Sequence, residues 1–180
     1  MAPGVFTTVA LLLYVGLAVL WDVRQRRIPN WLSGTWLLLA LPSAAVDEGI
    51  GLRAAFAGLG LGAAALLGPY LVGAVGAADL KFAAVSGAWL GPRLALNALL
   101  LGMAMGLVVA LAAAASMGRA GPAVRASARL LWLIGATGST AHLTPGAVSS
   151  EPLAPIPYAV PLGLGVVTAV LLAPHGWLLV

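Results

Sequence analysis

The sequence predicts an all-α, polytopic membrane helix bundle of about six transmembrane helices, and three observations carry that reading. Of 180 residues, 62% are hydrophobic and only 8% are charged, whereas soluble domains carry about a quarter charged residues. Mean hydropathy is +1.05. The apolar residues fall into six runs long enough, or nearly so, to cross a hydrocarbon core that takes about 20 residues of helix.

The runs follow in order. Residues 5–21 form the first and end at Asp22; no basic segment precedes them, so they read as a retained helix and not a cleaved secretory signal. Residues 31–46 form the second, opened by Pro29-Asn30 and closed by Asp47-Glu48. The third, 54–75, is glycine-rich and interrupted by Pro69, and the short fourth, 80–90, ends at Gly91-Pro92-Arg93. Residues 94–117 form the fifth, and Tyr158 to about residue 173 the sixth. Between the last two, 118–157 is too rich in Gly, Pro, Ser and Thr to span. Within it, Arg125, Arg129 and 130–134 suit either a short interfacial amphipathic helix or a disordered linker. The whole chain, 1–180, reads as a single domain with that loop.

Six crossings fix the sides. Arg24, Arg26, Arg27, Lys81, Arg119, Arg125 and Arg129 fall on one face and Arg53 and Arg93 on the other. Seven against two marks the first face as cytoplasmic and puts both termini outside, in an inner or plasma membrane. The net charge of +4 is therefore topological. No basic stretch interleaves with aromatics, so no nucleic-acid partner is expected. Gly58/Gly62, Gly87/Gly91 and Gly102/Gly106 are small-residue pairs that let helices pack closely.

The chemistry narrows to two residues. There is no cysteine, which excludes thiol nucleophiles and cysteine-ligated zinc. His142 and His175 lie too far apart to share a site, and no HExxH motif occurs; neither metal nor cofactor is expected. Asp47, Glu48 and Glu151 sit in polar connections. Asp22 and Asp79 lie on the cytoplasmic side, each at the edge of an apolar run. Counting back 12 residues from Gly91 to Asp79 gives only about 18 Å of helix. Asp79 is thus expected below the membrane surface, with 73–78 dipping in as non-helical backbone to reach it.

An ionisable group at that depth marks a functional site. Two carboxylates sharing a water suit peptide hydrolysis, one as base and the other, protonated, polarising the carbonyl. The start of the fourth helix presents its positive end to Asp79 and the end of the first its negative end to Asp22. That makes Asp79 the expected base and Asp22 the acid. On position alone, the pair serves a proton- or cation-coupled transporter equally well, and a non-catalytic membrane assembly protein is a third reading.

The flanking residues favour one reading. Asp22-Val-Arg-Gln-Arg-Arg-Ile28-Pro29-Asn30 resembles the first active-site segment of type IV prepilin peptidases, an aspartate before a basic stretch and Ile-Pro-Asn. Gly76-Ala77-Ala78-Asp79-Leu-Lys81, with Gly87 and Gly91 following, resembles their second, the GxGD motif with its lysine; Ala78 stands where glycine is usual. Ile156-Pro157-Tyr158 resembles a Pro-aromatic segment near their C-terminus. The resemblance implies a membrane aspartic endopeptidase that removes the basic leader of prepilins, usually after glycine, at the cytoplasmic face. Asp22 and Asp79 carry over as catalytic. The small size is similar to the tight-adherence (Flp) pilus subgroup, and the larger relatives' cysteine-containing insert, which goes with N-methylation, is missing.

Lys81 is expected to meet a substrate carboxylate or Asp79, or simply to snorkel to the interface. Small residues at Gly73, Gly76, Ala77 and Ala78 are expected to leave room for a substrate backbone. The expected partners are prepilin-like membrane proteins and anionic lipid, which would hold a basic leader at the surface.

Overall fold

The computed structural model describes residues 4–46, 49–71, 75–118, 121, 124–125 and 158–176. These residues are almost wholly helical: α1 (Val5–Gln25), α2 (Asn30–Ala45), α3 (Leu52–Leu71), α4 (Ala77–Ser116) and α5 (Ala159–Leu172), which runs into a single 3-10 turn, Ala173–His175. Three of them, α1, α3 and α4, are long and apolar enough to cross a membrane. The 16 residues of α2 reach about 24 Å.

The forty-residue α4 is broken at Gly91, whose φ of 71° and ψ of 173° are not helical. Such a pairing of angles is open essentially to glycine alone, and Pro92 follows to start the next arm. The chain reverses there. Leu162 of α5 lies against Gly102 in the second arm, yet lines one cavity together with Phe82 of the first. Twenty residues of unbroken helix would hold positions 82 and 102 about 30 Å apart. The helical segments thus coincide with the six apolar runs of the sequence, the fourth and fifth being the two arms of α4.

Small residues set the packing. A Cβ on Gly58 of α3 would run into the backbone of Gly87, and one on Gly62 into that of Ala83. The α3 and α4 backbones therefore touch, as the glycine pairs predict. Gly165 of α5 meets Ala98 and Gly102 of the second arm in the same way. The centre is aromatic. Tyr14 of α1 stacks on Phe82, with ring centroids 5.7 Å apart, and tilts against Trp36 of α2 at 6.1 Å. Two indole N–H groups fasten these elements by donating to backbone carbonyls: Trp36 to Ala10 at 2.8 Å and Trp89 to Trp36 at 3.1 Å.

Two boundaries differ from expectation where they matter. α1 continues through Asp22 to Gln25, so this aspartate is held by a full turn on either side. The non-helical dip expected over 73–78 is shorter at its far end. Gly76 is extended at φ −84° and ψ 161°, and α4 already begins at Ala77. The Asp79 carboxylate explains the early start, because it accepts the Gly76 N–H and closes the first turn. Most of 118–157, including Ile156, Pro157, His142 and the interfacial stretch after Arg125, lies outside the described residues.

Candidate active site

The last turn of α1 positions Asp22. Arg26 ends the helix in the left-handed region at φ 52°, and its N–H closes the final helical bond to the Asp22 carbonyl at 2.7 Å. Ile28 then drops into the core at 3% exposure. That anchor turns the chain sharply into Pro29, the cap of α2, and Asn30, its first residue. Arg24, Arg26 and Arg27 remain exposed around this bend.

Asp79 sits three residues into α4. Its Oδ2 accepts the Gly76 N–H at 3.1 Å. Ala78 is helical, and Arg26 is the one non-glycine residue at positive φ among the described residues. Alanine therefore fits without strain in the place where glycine is usual. Gly76 and Ala77 are exposed and Ala78 half-buried; among the described residues, a Cβ added to Gly76 would meet only Asp79 Oδ2, at 3.6 Å, and the Ala78 nitrogen, at 3.9 Å. Among the described residues, the surface beside Asp79 is thus open and low.

Both carboxylates are buried, on helices that pack against each other and against α5. Asp22 is 5% and Asp79 7% exposed, and each charge lies within electrostatic reach of the other. Gly163 of α5 marks the junction. A Cβ there would lie 3.0 Å from Val19, one turn before Asp22, and 4.0 Å from Phe82, one turn after Asp79.

The contribution of α5 is what sequence reasoning missed. Its first N–H, from Ala159, points at Asp22 Oδ2 at 3.4 Å. Tyr158 caps this helix, and its phenolic oxygen lies in the groove at Gly106, 3.4 Å from where a Cβ would stand. Ile156-Pro157-Tyr158 was visible as a motif, but nothing in its spacing tells that a helix opening after it faces an aspartate 137 residues away. The finding also changes the electrostatic reading. Asp79 faces the start of α4 and Asp22 the start of α5, so each meets a positive helix end. The dipole argument that made Asp79 the base and Asp22 the acid loses its asymmetry.

Lys81 does not meet Asp79. Its ammonium donates to Asn30 Oδ1 at 2.6 Å, joining the starts of α4 and α2. Among the described residues no group of three His, Cys, Asp or Glu side chains is arranged to hold a metal ion.

Residues 9–111, more than half of the chain, match the family model described as the type IV leader peptidase family. No curated protein and no solved structure matches the chain significantly. The matched span contains both aspartates and ends before α5.

Proposed function

The chain belongs to the type IV leader peptidase family, and from that premise we propose that it is a membrane-embedded aspartic endopeptidase that cuts prepilin-like substrates with Asp22 and Asp79. The observation that supports this reading is the burial of two carboxylates, each within electrostatic reach of the other and each accepting a backbone N–H at a helix start.

General acid–base hydrolysis on a shared water needs one carboxylate ionised and the other protonated. The ionised member takes a proton from the water between them as its oxygen attacks the scissile carbonyl. The protonated member gives its proton to the developing oxyanion. As the tetrahedral intermediate collapses, one hydroxyl re-forms a carbonyl and returns its proton to the second carboxylate. The C–N bond breaks, and the amine leaves with the proton held by the base, so the dyad returns to its starting state. Either carboxylate can begin as base, since each accepts a backbone N–H at the start of a helix. The backbone N–H groups of Gly76 and Ala159 stabilise the charge wherever it resides.

In the bilayer, the reading has six crossings with both arms of α4 spanning, both termini outside, and the dyad and the 118–157 loop at the cytoplasmic face. The substrate is an Flp-like prepilin. Its basic leader is held at the surface by anionic lipid, its apolar helix lies against the bundle, and its backbone crosses the low ground at Gly76, Ala77 and Ala78. Glycine before the cut suits that slot.

Co-expression with an epitope-tagged candidate prepilin tests the function. The expected result is a size shift and a new N-terminus immediately after the leader glycine, absent with Asp79→Asn. An unprocessed prepilin beside abundant folded protein would overturn the proposal.

A further inference from the structure

What keeps two aspartates on different helices at a working distance? Deep in the bundle the Tyr14–Phe82 stack joins α1 to α4. Nearer the carboxylates, the two elements are joined through α2. Asp22 lies four residues before Arg26, the bend is pinned by buried Ile28, and α2 opens at Asn30. There, 51 residues away in sequence, Lys81 Nζ bonds to Asn30 Oδ1 at 2.6 Å.

Three features separate this bond from incidental surface pairing. Lys81 is two residues beyond Asp79, which on a helix turns it about 200° away. Lys81 therefore reaches α2 from a different side of α4 than the one that carries Asp79. Asn30 does not cap its own helix: Pro29 holds the cap position and no side-chain cap bond forms, which leaves Oδ1 to Lys81. The bond also carries a charged donor, the stronger kind.

Building on the dyad reading above, we propose that Lys81 is a positioning residue that acts through Asn30, fixing the first turn of α4 so that Asp79 keeps its distance from Asp22. The pair closes a loop of contacts: Asp22, the bend at Ile28, Asn30, Lys81 and back to Asp79. Among the described residues it is the side-chain hydrogen bond that ties the first turns of α4 and α2 together. A displacement of about 1 Å at a catalytic group costs up to about 100-fold in rate.

The test is a double-mutant cycle on prepilin cleavage by the full-length protein in liposomes, with Lys81→Met, Asn30→Leu and both together. Each single change should lower kcat about 10- to 100-fold with KM unchanged. The double should be no slower than the slower single, and Asn30→Asp, which keeps the acceptor, should stay near wild type. A raised KM with kcat intact would show that Lys81 holds substrate, and multiplied losses would show that the two residues act separately; either overturns the proposal. So does a kcat loss that only follows a loss of folded protein. A second measurement does not depend on cleavage. The chain has no cysteine, so spin labels on Arg24→Cys and Ala77→Cys report the separation of the two segments. The distribution should be narrow in the parent and equally broadened by Lys81→Met and Asn30→Leu; an unchanged distribution rejects the positioning role. A parent protein that cleaves no prepilin would sink the peptidase reading, while the label distances still decide this one.

Discussion

At the scale of single residues, the site separates chemistry from support. Asp22→Asn and Asp79→Asn keep shape and remove a proton acceptor, so each should lower cleavage by at least about 100-fold, the lower end of what a positioned acid or base supplies. Both proteins should unfold at nearly the parent temperature. Cleavage surviving in either variant would end the shared-water mechanism. Ala78 tests the slot. It is helical, so Ala78→Gly should leave activity near the parent's and cost about 1 kcal/mol of helix stability, read as a lower Tm. Ala78→Leu should instead slow cleavage, as should replacing the substrate's glycine by Val or Leu. Undiminished cutting of the Leu substrate would show that the slot does not read this position.

At the scale of elements, helices were easier to foresee than the contacts that use them. The six apolar runs were legible because membrane helices must be both long and apolar, and Gly91-Pro92 announced its reversal because few other residues turn a chain so abruptly. Gly91→Ala should cost about 1–3 kcal/mol for strain at φ 71° and ψ 173°. Thermal unfolding in detergent would show it; an unchanged midpoint would mean that the turn relaxes. The two aspartates were legible because charge is scarce in this chain. Three features were not. The early start of α4 at Ala77 follows from a local bond between Asp79 and Gly76 that no hydropathy pattern contains. The Lys81–Asn30 bond joins residues that look, separately, like a snorkelling lysine and a helix opener. The approach of α5 to Asp22 is a matter of tertiary packing through Gly102, Gly106 and Gly163, whose pairing with a particular helix is set in space and not by spacing.

At the scale of the whole molecule, topology and assembly decide whether the site works at all. Reporter fusions after Arg27 and within 118–157 should read cytoplasmic, and fusions after Glu48 or at residue 180 external. A cytoplasmic signal at residue 180 would remove the shared side on which the dyad depends. The bond from Ala159 to Asp22 has a consequence in time. A growing polypeptide leaves the ribosome from its N-terminus, so Asp22 and Asp79 enter the bilayer while α5 is still unmade. For that interval both carboxylates exist, but the N–H that will hold Asp22 does not. On the peptidase reading proposed above, the surroundings of Asp22 are therefore complete only after residue 159 has been made, eighty residues later than Asp79.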